Sequence, residues 1–336
     1  MTLADSLSRR DDGTTALDTL ARAKSVVEPA LTEITLRLSP ELRPVILHHL
    51  SGGGKLVRPT LALLSAKAVG GDEKTGLVGA LAIELVHNFS LIHDDIIDGD
   101  VERRHVPTVW AEFGVGPALI AGDGLLTLAF QLLLEEPTTE RVNATRLLAD
   151  ATQAMIVGQA EDINSEHLSS LTLEECLRME AGKTGALLAC ASSIGAVLAG
   201  ADQATVRALS DYGQHLGLAF QAVDDILGVW GDPKVTGKPV GNDLRLRKKT
   251  LLISVANSKG FDVFAETGIT NDEEMTDAQV TAAMDFLDDC GARYETLEMA
   301  ETNLAAALAS LERVPLDSSA VTELSAIAHY VIERDK

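Results

Sequence analysis

Apolar and polar positions follow helical spacing along almost the whole chain. From Thr15 onward, Leu17, Leu20, Ala21 and Val27, then Leu31, Ile34 and Leu38, recur at intervals that gather residues on one helix face. Pro40 and Pro44 sit around a helix start, and Gly52-Gly53-Gly54 breaks the pattern. The spacing then predicts helices over 58–70, 77–100, 115–135, 138–165, 172–199, 202–229, 248–258, 277–310 and 318–334. Breaks fall at Gly70-Gly71, Glu136-Pro137, Gly200-Ala201 and Gly231-Asp232-Pro233. The last of these opens a loop from Lys234 to Asp243, and Lys259 to Asn271 reads as a second, mildly acidic, exposed loop. No alternating run marks a sheet, and nothing resembles an interdomain linker. The pattern predicts an all-α protein with a flexible segment over 1–14 and one helical domain over 15–336.

Composition agrees with that class and narrows the function. Apolar residues make up 46% and aromatics only 4%, a balance that favours helices over sheets. A net charge of −22 argues against general nucleic-acid binding, which needs a basic footprint. Cys176, Cys190 and Cys290 are far apart and form no CxxC pair. That spacing points away from structural zinc or a disulfide framework and toward a reducing compartment. The opening MTLADSLSRRDDGTT has no apolar core of the signal-peptide kind. The longest uncharged stretch, Thr184 to Ala201, spans 18 residues but is only weakly apolar, so a buried helix is expected rather than a membrane span. The expectation is a cytoplasmic protein with no transmembrane segment.

Two acidic runs carry the clearest chemistry: Asp94-Asp95-Ile96-Ile97-Asp98 and its near-copy Asp224-Asp225-Ile226-Leu227-Gly228. Asp94 and Asp98 share a helix face, and Leu91, Ile92, Ile96 and Ile97 surround them. Uncompensated carboxylates in an apolar setting are costly; hard divalent cations and bound phosphate would relieve that cost. Cations lie near both runs. Gly52-Gly53-Gly54-Lys55-Leu56-Val57-Arg58-Pro59 sets Lys55 and Arg58 beside a glycine loop at a helix start, where amides and dipole favour an anion. A flexible turn with solvated charges is the plainer alternative, and GxxxxGK[ST] is absent. Arg103 and Arg104 follow the first run, either as ligands for a metal-bound anion or as partners of Asp98, Asp100 and Glu102. His87 precedes Asp94 by two helical turns and faces the same side. Lys183-Thr184 interrupts a small-residue helix, Gln221 precedes Asp224 by three, and Lys238 and the basic run Arg245 to Lys249 follow the second acidic run.

Together, GGGKLVRP, HNFSLIHDDIID, RRHVPTVW, KTGALL and FQAVDDILGVWGDPKVTGKPVGNDL resemble, in order, the motifs of the trans-isoprenyl diphosphate synthases, the polyprenyl synthetase family. The resemblance is close over about residues 40–255. It implies an isoprenoid-synthase helical bundle around a deep central cavity, usually a homodimer. It implies that Asp94, Asp98 and Asp224 hold Mg2+, three ions per active site, with Asp95 and Asp225 in support. Arg103, Lys183, Thr184, Gln221, Lys238 and Lys248 match residues that hold the allylic diphosphate (dimethylallyl, geranyl or farnesyl). Lys55, Arg58, His87 and Arg104 match those that hold isopentenyl diphosphate. The implied reaction is a 1′-4 condensation carried by Asp94, Asp98, Asp224, Lys183 and Arg103. Phe89, five residues before Asp94, and Ser90 stand where the family sets product length, and the aromatic at 89 points to geranylgeranyl diphosphate (C20), with C15 or C25 next.

Two positions depart from the family pattern. Gly228 replaces the usual third Asp of the second run, with Asp232 or water the expected substitute. His105 stands where a Gly usually follows the paired arginines. Two other readings stay open. A class I terpene cyclase would need an NDxxSxxxE motif, but Leu246 and Thr250 follow Asn242-Asp243 where Ser and Glu should be. A non-catalytic partner subunit should have lost several ligands, and only Gly228 favours that.

Overall fold

The computed structural model describes residues 15–165, 168, 170–233, 239–269 and 275–333; the predicted flexible segment 1–14 and Lys238 lie outside them. The helices, in order, are α1 (Ala16–Thr35), α2 (Arg43–Ser51), α3 (Val57–Ala68) and α4 (Glu73–Ile97). A two-residue pair, β1 (Glu102–Arg103) and β2 (Val106–Pro107), follows. Next come α5 (Val109–Phe113), α6 (Val115–Leu134), α7 (Thr139–Ser165) and α8 (Leu173–Glu180). A π turn (Ala181–Gly185) leads into α9 (Ala186–Leu198), then α10 (Gln203–Trp230), α11 (Asn242–Arg245) and α12 (Leu251–Ser258). The chain closes with α13 (Val263–Glu266), α14 (Asp277–Asp289), α15 (Ala292–Leu311) and α16 (Ser318–Ile332).

Several boundaries are set by capping chemistry that satisfies first-turn amides. Thr15 and Asp18 form a capping box on α1, with Asp18 N donating to Thr15 Oγ1 at 3.1 Å and Thr15 N to Asp18 Oδ2 at 3.2 Å. Thr172 with Glu175 and Thr276 with Gln279 repeat the device on α8 and α14.

The small-residue helix α9 runs through the middle of the bundle, packed by α3, α4, α7 and α10. Ala189, Ala191, Ser192, Ser193, Gly195 and Ala196 let those neighbours approach closely, and ten residues of this helix are buried. The uncharged stretch is therefore a core helix. Among the described residues, three helices could cross a membrane by length and composition alone: Glu73–Ile97, Val115–Leu134 and Leu173–Leu198, with 67%, 44% and 61% of the relevant window buried inside the protein. A main core draws on α1 to α7, α9, α10, α15 and α16, and a second gathers Val229, Leu244, Leu252, Val255, Val280 and Leu287 under the C-terminal helices.

Three expectations change. The helix predicted over 277–310 is two helices, because Gly291 adopts φ +77 and ends α14; the apolar rhythm continues across the break and hid a glycine stop signal. The loop at Lys259 to Asn271 is not simply exposed. Asp262 caps α13, its Oδ1 accepting from Phe264 N and Ala265 N at 3.1 Å each, and Val263 and Ile269 are buried in the second core. The third change is the β1–β2 hairpin, whose two turn residues, Arg104 and His105, have φ +53 and +64. Both central positions of such a turn need positive φ, so the Gly-to-His departure at 105 falls where glycine is easiest. Histidine tolerates the conformation better than most side chains.

Candidate active site

The C-terminal end of α4 presents the first acidic run. Asp94 is half-buried and Asp98 exposed at the helix cap, whereas Asp95 turns inward with 1% exposure. Arg103 Nε donates to Asp95 Oδ1 at 2.7 Å, and Asp95 Oδ2 has no partner. The hairpin carrying Arg103 is strapped to the helix end: Thr108 Oγ1 and Trp110 Nε1 donate to the Asp100 carbonyl at 2.7 and 2.8 Å. Burial, opposed by Lys183 and reinforced by Asp98, pushes the Asp94 carboxyl up to about 6.

The second run repeats this division of labour on α10. Asp224 is exposed, and Asp225 is buried in a chain of hydrogen bonds. Thr184 Oγ1 donates to Gln221 Oε1 (3.1 Å), Gln221 Nε2 to Asp225 Oδ1 (2.9 Å) and Leu251 N to Asp225 Oδ2 (2.7 Å). Buried Glu180 faces Asp225, and burial together with that like charge raises its carboxyl well above the ordinary range.

Lys183 links the two runs. Its ammonium pairs with Asp162 of α7 and feels Asp94 and Asp98, and it is also among the charges acting on Glu180, beside Asp224 and Asp225. Burial pulls the ammonium pKa down, but Asp162, Asp94 and Asp98 outweigh it and hold it above the ordinary lysine value. The π turn places Lys183; such one-residue bulges are frequent at functional sites. Gly158 of α7 makes the placement possible, since a Cβ there would lie 2.3 Å from Lys183 N and 2.8 Å from its Cα. Gly158→Ala should therefore cost about 1–3 kcal/mol and lower turnover by displacing Lys183. A melting curve with a parallel rate measurement checks this, and an unchanged rate would mean that the turn does not position the lysine.

The remaining predicted cations meet elsewhere. Lys55, Arg58, His87 and Arg104 line one cavity of about 430 Å³ with Glu84, while Leu188, Leu216, Phe220, Tyr330 and Val331 form its apolar wall. Arg58 Nη1 lies 3.4 Å from His87 Nε2, and Lys55 Nζ stands 5.4 Å from the centre of the Tyr330 ring. Burial, then the arginines, keep His87 well below its usual pKa and hold His49 at about 4, so both rings are neutral near pH 7. Helix α16, which brings Tyr330, is anchored by Tyr212 Oη donating to the Leu324 carbonyl (2.8 Å) and by Lys67 on Glu323 (2.7 Å).

Lys248 lies 3.8 Å from Asp243, but Arg245, from the same basic run, turns away to Asp277 and the Met275 carbonyl at 2.5 and 2.9 Å. Asp243, not the expected Asp232, is the side chain that stands against Gly228. Sequence reasoning also missed Asp162, Glu84, Asn88 and His49. Only the glycine at 158, one turn before Asp162 inside a long helix, offered a signal.

The donor set suits a hard cation: half-buried Asp94 and exposed Asp98 and Asp224 offer carboxylate oxygens, and the like charges around Asp94 need neutralising. Among the described residues no three His, Cys, Asp or Glu side chains converge on one point, so a ligand shared with the cation would have to complete any coordination shell.

A family model described as polyprenyl synthetase matches residues 39–285. The (2E,6E)-farnesyl diphosphate synthase of Mycobacterium tuberculosis is 38% identical, across 98% of this chain and 95% of that protein. The geranylgeranyl diphosphate synthase of the same organism is 39% identical, across 84% and 80%. Among solved structures, a polyprenyl synthetase from Streptomyces coelicolor A3(2) matches with a TM-score of 0.89 at 42% identity, covering 94% of this chain and 98% of that one.

Proposed function

Since the chain belongs to the polyprenyl synthetase family and is a trans-prenyltransferase with the isoprenoid-synthase helical fold, we propose that it adds isopentenyl diphosphate to an allylic diphosphate to form geranylgeranyl diphosphate. The observation that carries this reading is that the cationic side chains gather at two separate places, each suited to an anion. One is the Lys183 cluster between the acidic runs, and the other is the cavity lined by Lys55, Arg58, His87 and Arg104. A cyclase, with one diphosphate, has no use for the second.

Asp94, Asp98 and Asp224 would hold Mg2+, which when bound supplies charge stabilisation for the departing diphosphate. Lys183, Arg103 and Lys248 add fixed positive charge at the same end, which acts where negative charge develops. Lys55, Arg58 and Arg104 hold the second diphosphate so that its double bond faces the allylic carbon. Leu188, Leu216 and Phe220 exclude water from the cation that forms. Neutral His87 donates a hydrogen bond without adding a further charge beside the arginines. The proton lost in the last step goes to the released diphosphate, so no protein nucleophile is needed.

Product length rests on Phe89. Its ring is buried, braced edge-to-face by His93 with centroids 4.8 Å apart, and His93 Nε2 in turn lies 3.1 Å from the Leu119 carbonyl of α6. Ser90 Oγ beside it donates to the His87 carbonyl at 2.9 Å. That single braced ring favours C20 over C15 or C25, although relatives of both the farnesyl and the geranylgeranyl kind match the chain. Phe89→Ala should lengthen the products by at least one isoprene unit, as chromatography of the dephosphorylated alcohols would read out; an unchanged distribution removes Phe89 as the floor.

We also propose a homodimer. Val115, Leu119 and Ile120 of α6 and Ile156 and Val157 of α7 are exposed apolar residues on two helices that touch, and an exposed apolar patch is the usual mark of an interaction surface. Light scattering reads the mass, and a monomer at micromolar concentration would refute the proposal. The activity itself is tested with purified protein, Mg2+, isopentenyl diphosphate and each of dimethylallyl, geranyl and farnesyl diphosphate. Elongated prenyl diphosphates are expected. Hydrocarbon products would indicate a cyclase, and no turnover alone a partner subunit.

A further inference from the structure

The cavity lined by Lys55, Arg58, His87 and Arg104 holds an acid as well as cations. Glu84 lines it too and is 7% exposed, although a carboxylate in a place suited to a diphosphate repels what should arrive there. It is nevertheless firmly held. Asn88, one turn later on α4 and equally buried, donates through Nδ2 to Glu84 Oε1 at 3.0 Å and to the Glu84 carbonyl at 2.7 Å. Burial raises the Glu84 carboxyl, and Asn88, Arg58 and Arg104, in that order, act against the rise.

Both amide protons of Asn88 are thus committed to Glu84, which leaves Oδ1 for its other partner, the His49 ring of α2. His49 stands beside Arg103 and Arg104 and stays neutral there. A neutral imidazole can donate to Asn88 without setting another positive charge behind the arginines; a lysine could not. The residue before it fastens the hairpin: His48 Nε2 lies 2.8 Å from the Pro107 carbonyl, and its ring meets Phe113 edge-to-face with centroids 5.3 Å apart. Arg104 itself lies against the glycine loop, since a Cβ on Gly54 would stand 3.1 Å from Arg104 Nη1. One line of polar contacts therefore runs behind the cavity, from His49 through Asn88 to Glu84, and ends at Arg58 and Arg104.

We propose that His49, Asn88 and Glu84 are positioning residues for the second diphosphate, with the Glu84 carboxylate gathering Arg58 and Arg104 in the empty cavity and Asn88 and His49 aiming that carboxylate. Without it, two guanidinium groups and Lys55 share one cavity and repel one another. Each diphosphate that enters would then have to regather them, at a cost in binding energy. The inference rests on this cavity holding isopentenyl diphosphate, as proposed above.

The test is calorimetric titration with isopentenyl diphosphate alone, set beside titration with geranyl diphosphate and Mg2+. Charge alone predicts that Glu84→Gln, by removing a repelling carboxylate, tightens isopentenyl diphosphate binding. Positioning predicts about 10-fold weaker binding, the cost of ordering two arginine side chains. Asn88→Leu, which strips the buried carboxylate of its donor, should weaken binding about 10- to 100-fold. At the half-buried end of the line, His49→Phe should weaken it about 3- to 10-fold, whereas His49→Gln, which keeps an N–H donor, should stay within about threefold. The geranyl diphosphate affinity should not move in any of them. Melting curves confirm folding, and the His49 pair keeps the test available should Asn88→Leu fail to fold. Tighter binding in Glu84→Gln overturns the proposal, as does His49→Gln binding no better than His49→Phe. Variants that melt lower yet bind isopentenyl diphosphate as before overturn it too, and assign the line to the core. Arg58→Ala separates the underlying reading: unchanged binding there removes isopentenyl diphosphate from this cavity, whereas binding lost only there leaves the cavity standing and ends the role of Glu84, Asn88 and His49.

Discussion

Asp94→Ala is expected to abolish condensation while leaving the fold at least as stable as before. Asp94 stands at the end of α4 facing Lys183, and burial holds its carboxyl at about 6. A group that is costly to ionise in the folded protein, yet ionised near pH 7, is kept for a partner it meets later. The loss of one cation-anchoring acid removes several kcal/mol of transition-state stabilisation, a rate drop of about 10³-fold or more. Stability should respond in the opposite sense. The folded carboxyl titrates near 6 against 3.8 in the unfolded chain, so between those values the folded state holds more proton. Its contribution to stability is therefore present at low pH and is lost as pH rises through that window. In Mg2+-free buffer, Asp94→Ala should remove that loss and melt at or above the parent temperature at pH 7. Incorporation of labelled isopentenyl diphosphate, alongside a pH series of melting curves, reads both effects. Full activity in the variant would end the metal-clamp assignment.

Lys183→Gln should come next in size. This ammonium sits among Asp162, Asp94 and Asp98, and without it those carboxylates repel one another with no fixed cation between them. The allylic kcat/KM should fall about 10²- to 10³-fold, comparable to losing one preorganised charge donor at a reacting centre, while the KM for isopentenyl diphosphate changes little. Asp94 should titrate still higher, because the largest influence opposing its burial is gone. Both side chains of the Lys183–Asp162 pair are about a third exposed, so the stability loss should stay near 1 kcal/mol. Equal changes in both KM values would mean that Lys183 serves the bundle rather than the allylic site.

Much of this site was legible in the chain because the chemistry is local. Asp94 and Asp98 are one helical turn apart, Gln221 and Asp225 likewise, and Lys55 and Arg58 flank one helix start. That Lys55, Arg58, His87 and Arg104 meet in one cavity could be expected only from resemblance, since three elements contribute them. What stayed hidden is what depends on two elements at once. Asp162 reads as an ordinary helix acid until α7 lies against the π turn. Glu84, Asn88 and His49 read as helix positions until the arginines stand over them. Asp243 reads as a loop acid until the loop returns to Gly228. The break at Gly291 is different, because there the local signal was present and the apolar rhythm masked it.

The π turn at Ala181–Gly185 has a consequence for chain length changes within this region. A π turn amounts to one extra residue in an otherwise continuous helix, and one residue rotates everything after it by about 100°. Upstream, Cys176 and Met179 are sunk in one core; downstream, Leu187, Leu188 and Ile194 are sunk in another. The extra residue is thus the phase correction that lets a single rod satisfy two differently oriented cores. Deleting one residue anywhere in 181–185 would restore regular winding and misdirect one end of the rod, even though every remaining side chain kept its identity.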